Sequence, residues 1–169
     1  LKPWGTASLA EIGQQWTRLG DNFLEELDRS FANGWKPVNE QVMALIARAT
    51  THGYEGRPRQ FYEALENLRA LVQRDDELAQ EWLFTVIYLQ GIASLRLGED
   101  ENCILCRGES SCILPIAPAA VHKHPQGSRQ AVKHFTEYLG QFSEDLAVRW
   151  LLNVAHMTLG EHPERVEPR

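Results

Sequence analysis

The fold of this chain is decided by two matching stretches, Tyr88-Leu-Gln-Gly-Ile-Ala-Ser-Leu-Arg-Leu-Gly-Glu99 and Trp150-Leu-Leu-Asn-Val-Ala-His-Met-Thr-Leu-Gly-Glu161. Position 88 of the first corresponds to position 150 of the second, an offset of 62 residues. The identical positions include Leu89 and Leu151, Ala93 and Ala155, and Leu97-Gly98-Glu99 and Leu159-Gly160-Glu161. Apolar residues recur in both stretches at helical spacing, so the pattern predicts a helical unit that is repeated.

The same periodicity predicts an all-α chain. Six helices are expected, at about residues 8–33, 39–52, 58–75, 77–97, 128–142 and 144–159. The first opens on the capping-box spacing of Ser8 and Glu11. Its apolar stripe is Leu9, Ile12, Trp16, Leu19, Phe23 and Leu27. The fourth is apolar almost all round, which is typical of a central helix. Short connections predict antiparallel neighbours within one domain, residues 1–169.

The repeat resembles the tetratricopeptide family, whose period is about 34 residues. Family positions of the first helix are matched by Gly91, Leu97 and Gly98, and those of the second helix by Ala131, Phe135 and Leu139. Ser94 and Ser143 depart from the family pattern. The resemblance implies antiparallel helix pairs stacked as a short solenoid, whose first helices line a concave surface that binds protein or peptide. The residues that we assign to this binding groove are Gln90, Arg149, Asn153 and His156.

An insertion separates the two helices of one repeat. Against a period of about 34 residues, the observed offset is about 28 residues too long. The excess falls at residues 99–127, which hold all three cysteines together with His122 and His124. Loops of this length are uncommon and usually functional. The last helix lacks a partner helix, and we expect a neighbouring chain or domain to cover it.

The cysteines of the insertion leave several chemistries open. A Cys103–Cys112 disulfide would close a loop of about ten residues and contribute about 2.5 kcal/mol. Cys106–Cys112 is the other plausible disulfide, and Cys103–Cys106 would form a redox-type CxxC pair. Alternatively, Cys103, Cys106 and Cys112 with His122 or His124 offer a tetrahedral donor set for zinc or another transition metal.

Composition excludes other classes of function. The net charge of −6 argues against nucleic-acid binding, which depends on clustered Lys and Arg. The longest apolar run, residues 82–89, is too short to span a bilayer. No catalytic motif is present, so we predict a protein that is not an enzyme and needs no cofactor. The chain begins with Leu, as expected of a processed or truncated chain.

A closer resemblance is carried by the insertion and the last helix. The segments are Glu101-Asn102-Cys103, Ser111-Cys112-Ile113-Leu114-Pro115-Ile116, Val121-His122, and residues 149–160. They resemble the tetratricopeptide region of bacterial proteins that carry FG-GAP/VCBS propeller repeats and an ASPIC/UnbV segment. This resemblance implies an exported, periplasmic or secreted scaffold whose partner is a protein or peptide, its own β-propeller or another copy.

The same resemblance bears on the cysteines. In that family the positions matching Cys103 and Cys112 are cysteines, which implies that these two form the disulfide. The positions matching Cys106 and Arg107 are often Asn and His, so Cys106 is a departure of this chain. The resemblance therefore favours a disulfide-pinned insertion that shapes the groove over a metal-binding or redox module.

Overall fold

The computed structural model describes residues 4–32, 34, 37–103, 114 and 116–166. These residues contain α-helices and two short 3-10 turns, and no β-strand among them. The helices are α1 (Leu9–Thr17), α2 (Leu19–Ala32), α3 (Val38–Tyr54), α4 (Pro58–Val72), α5 (Asp76–Cys103), α6 (Gln126–Gln141) and α7 (Leu146–Thr158). The prediction of an all-α chain is confirmed.

Most helix ends lie where local chemistry predicts them. Ser8 and Glu11 form the expected capping box at the start of α1. Pro58 begins α4, where its missing N–H costs no hydrogen bond. The side chain of Asp145 accepts two backbone N–H groups at the start of α7. Gly160, with a φ of +68°, follows the end of α7 in a conformation that glycine adopts without strain.

Two helices differ most from their predicted bounds, and the others agree within three residues at each end. The first predicted helix is broken at Arg18, whose φ of −114° and ψ of 13° separate α1 from α2. The fourth continues to Cys103 instead of ending near residue 97. Gly98 does not stop this helix because its role is close packing: a Cβ there would lie 3.2 Å from the backbone N of Ser128.

The helices pack in chain order, each against the next. One core cluster is formed by α3, α4 and the first part of α5, and includes Val42, Leu65 and Val86. The second is formed by α5, α6 and α7 around the fully buried Phe135. Partly buried Ile92 of α5 packs against both clusters. The expected central position of α5 is therefore confirmed.

Candidate functional site

An open groove of about 720 Å³ lies between α6, α7 and the turn that follows α7. Its walls combine apolar side chains with cationic and amide groups. The lining residues are Val132, Thr136, Leu139, Gly140, Ser143, Arg149, Leu152, Asn153, His156, Arg165 and Val166. Three of the four residues that the sequence assigned to a concave surface of first helices, namely Arg149, Asn153 and His156, are among the residues lining this groove.

The charged groups on the groove are cationic. Arg149 donates from Nε to the backbone oxygen of Ser143 at 2.6 Å, which fixes its guanidinium at the start of α7. Arg165 is mostly exposed, and its Nη1 lies 3.9 Å from Glu161 Oε1. No carboxylate is among the described residues that line the groove. A ligand with acidic and apolar groups would match these walls.

Glu161 lies outside the groove and forms ion pairs with side chains that line it. Its carboxylate lies 2.6 Å from Arg129 Nη2 and 3.3 Å from His156 Nδ1. Burial alone would raise the pKa of Glu161, but the hydrogen bonds and charges of Arg129, His156 and Arg165 outweigh it and lower the pKa. Glu161 thus remains an anion that fixes two residues of the groove, His156 and Arg165.

Gln90, the fourth predicted groove residue, lies elsewhere. It is fully buried in a polar network between α4, α5 and α6. Arg69 donates to Gln90 Oε1 at 3.1 Å and also forms a two-pronged pair with Glu137. Gln90 in turn donates to Glu66. This network joins α4 to α6 across α5, so Gln90 has a structural role in the core.

The same interface contains a buried histidine that the sequence did not single out. His134 Nε2 lies 3.0 Å from the Tyr62 hydroxyl. Burial, with the charge of Arg69, lowers the pKa of His134 to about 4. Burial and the charge of Glu66 raise the pKa of Tyr62 to about 12. Both groups are therefore neutral near pH 7. A helical repeat alone gives no signal for this pair, because the partners are 72 positions apart.

The cysteine-containing segment is described only at its two ends. Cys103 is the last residue of α5 and is half-buried. Cys106 and Cys112 lie outside the described residues, so the disulfide and the three-cysteine metal set remain predictions. Within the described ranges, no group of three or more His, Cys, Asp or Glu residues is placed to hold a metal ion.

The two histidines of the insertion make structural contacts. His122 donates its backbone N–H to Thr158 at 2.8 Å, and its Nδ1 lies 2.8 Å from Ser128 Oγ. Burial lowers the pKa of His122. The backbone of His124 pairs with the side chain of Asn102 at 2.9 Å in both directions. These contacts join the end of the insertion to α5, α6 and α7.

Comparison with family models, with curated proteins and with solved structures finds no match for this chain. None of the helices in the described part of the chain has the length and apolar character of a membrane span.

Proposed function

We propose that this chain is a non-catalytic protein-interaction domain and that the groove between α6 and α7 is its binding site. The observation that carries the proposal is the composition of the groove. Its described lining has apolar walls, two arginines, an amide and no carboxylate, in a chain whose net charge is −6. Such a groove suits an amphipathic helix that presents apolar anchors and acidic flanking groups.

The sequence repeat gives the reason why this groove suits a helix. With the 62-residue offset, Leu152, Asn153 and His156 correspond to Gln90, Gly91 and Ser94. In α5 those three positions are buried. Helix α6 covers this face, with the Phe135 ring against Gly91. On α7 the equivalent face lines the open groove. We infer that the groove is the position that a second helix paired with α7 would occupy.

The resemblance to tetratricopeptide repeats supports the same class of function. We propose a tetratricopeptide-like solenoid in which α3, α5 and α7 are first helices and α4 and α6 are second helices. Contacts between alternate helices favour it: α3 contacts α5, and Tyr62 and Arg69 of α4 reach His134 and Glu137 of α6. The ASPIC/UnbV resemblance adds the proposal of an exported bacterial scaffold with a disulfide-pinned insertion.

A peptide selection tests the binding site. A library of helix-forming peptides is selected for binding to the intact chain. Selected sequences should be amphipathic and acidic, and Asn153→Arg, which fills the groove, should weaken them by about tenfold or more. Met43→Glu, at an exposed position of α3, is the matched control. Binders that tolerate Asn153→Arg, whatever the effect of Met43→Glu, or a library without binders, would refute the proposal.

A further inference from the structure

The other end of the molecule carries an apolar surface with the opposite charge character. Helices α1 and α2 present an N-terminal stripe, which we define as Leu9, Ile12, Trp16, Leu19 and Phe23. Leu9 is 88% exposed, Trp16 58%, Leu19 45% and Phe23 43%. Leu9, Ile12 and Trp16 are spaced by three or four residues on one face of α1, and Leu19 and Phe23 are spaced by four residues on one face of α2. Their exposure makes the stripe a candidate interaction surface.

The N-terminal stripe is not the face that joins α2 to the rest of the molecule. Gly20 and Leu24 are the buried residues of α2. A Cβ at Gly20 would collide with the side chain of Glu55, the residue after α3. The positions of the stripe are rotated away from this packed side, so α2 contacts α3 without covering the stripe.

The helices that carry the stripe are acidic. Residues 9–32 contain five carboxylates and two arginines, a net charge of −3. Glu26, three positions after Phe23, lies beside the stripe and is exposed. The groove between α6 and α7 is lined by Arg149 and Arg165, and no carboxylate is among the described residues of its lining. Glu144 and Glu161 lie just outside it, 3.8 and 3.9 Å from these two arginines. Both surfaces combine apolar and charged side chains: the stripe lies on exposed faces of two helices, and the groove is a cavity between α6 and α7.

We propose that the N-terminal stripe of one copy of this chain docks in the α6–α7 groove of a second copy. The inference rests on the proposed function of the groove and names its partner. Because the helices pack in order from α1 to α7, the two surfaces lie at opposite ends of the series, separated by α3, α4 and α5. The contact is therefore head-to-tail, and each added copy leaves one stripe and one groove for further association.

Complementation between two variants tests the geometry. Phe23→Glu alters the stripe, and Asn153→Arg fills the groove. In sedimentation velocity, the unaltered chain should show a mass that rises with concentration, whereas each variant alone stays monomeric. An equimolar mixture of the two variants retains one intact stripe and one intact groove, so it should form dimers and nothing larger. Met43→Glu should associate like the unaltered chain.

Three results would overturn the inference. The first is an unaltered chain that remains monomeric at every concentration. The second is an Asn153→Arg variant that still associates, and the third is a mixture of the two variants that does not pair. Association that survives Asn153→Arg but not Phe23→Glu would show stripe-to-stripe contact instead. If library peptides still bind the groove while the chain stays monomeric, the self-association fails and the proposed function stands. Circular dichroism confirms that each variant keeps its helix content.

Discussion

Gly127 marks the place where two helices come into backbone contact. A Cβ at this position would lie 2.5 Å from the N of Gly98 and 2.7 Å from the O of Ser94. Backbone atoms cannot rotate aside, so the α5–α6 interface would have to open. We expect Gly127→Ala to lower the free energy of unfolding by about 2–4 kcal/mol.

The control for this prediction lies in the same helix. At Gly140 no atom lies within 4 Å of the position that a methyl group would occupy. Gly140→Ala should therefore change stability only through helix propensity, by up to about 1 kcal/mol in the stabilising direction. Urea denaturation measures both variants. Equal effects at the two positions would show that the Gly98–Gly127 contact does not control stability.

The lowered pKa of His134 should make the stability of the folded chain sensitive to acid. Its pKa is lowered from 6.5 to about 4, so between these values the unfolded chain binds a proton that the folded chain does not. The free energy of unfolding should therefore fall as the pH drops from 6.5 to 4, by about 3 kcal/mol in total. Above pH 6.5 this contribution is fully present. Chemical denaturation at a series of pH values measures the slope.

The matched variant is His134→Gln, which cannot be protonated in this range and retains a polar group facing Tyr62. Other groups also contribute to the pH dependence of stability, so the informative quantity is the difference between the two proteins. We expect a shallower slope in the variant. Identical slopes would mean that His134 is not the group responsible.

At single positions the sequence predicts which face of a helix a residue lies on, but not whether another helix buries that face. Gln90 and Asn153 both lie on polar positions of a matched stretch, and both were assigned to a groove. The structure buries Gln90 under α6 and leaves Asn153 on an open groove. Periodicity within one helix cannot separate these cases, because the helix that covers Gln90 begins 36 residues later, at Gln126.

Among the elements, the last turn of α5 is an anchor for the insertion. The Asn102 side chain donates to Gly98 O at 2.8 Å and to His124 O at 2.9 Å, and it accepts from His124 N at 2.9 Å. Asn102→Ala removes all three bonds from a buried site. We expect a loss of about 1–3 kcal/mol and faster hydrogen exchange at residues 118–125.

Arg96→Ala provides the comparison for Asn102→Ala. Arg96 forms an exposed pair with Glu99 on the same helix, and such pairs contribute little to stability. Its removal should leave exchange at residues 118–125 unchanged. Equal exchange in the two variants would contradict an anchoring role for Asn102.

The cysteines that follow α5 can be tested by alkylation. If Cys103 and Cys112 form a disulfide, intact mass after alkylation of the native chain should show one modified cysteine, and three after reduction. Cys103→Ser should then expose Cys112 and lower stability by about 2–3 kcal/mol. Three reactive thiols without reductant, or a stoichiometric metal in elemental analysis, would refute the disulfide.

Helix ends could be predicted from the sequence where a local capping or proline signal marks them. The capping box of Ser8 and Glu11 and the proline at position 58 gave the correct starts of two helices. The extension of α5 to Cys103 was missed because its stabilising contacts come from His124, far along the chain. The break at Arg18 was missed because the apolar stripe continues across it.

In the whole molecule, α5 is the element on which both clusters depend. It packs against α4 on one side and α6 on the other, and its buried residues Val86, Ala93 and Leu95 belong to the two clusters. Loss of α5 would leave neither cluster with a complete core. We therefore expect α3 to α7 to unfold together, in one cooperative transition.

The N-terminal helices should depart from this cooperativity, and hydrogen exchange gives the last prediction. Helix α1 has no buried residue among those described and contacts little beyond α2. In dilute solution its amides should therefore exchange by local opening, whereas those of α5 exchange only through global unfolding. Raising the protein concentration should slow exchange in α1 and α2 if they dock on a second copy, and Asn153→Arg should abolish that slowing. Equal protection of α1 and α5 in dilute solution would instead show that the N-terminal helices are part of the cooperative core. A concentration effect that survives Asn153→Arg would place the partner of α1 and α2 outside the α6–α7 groove.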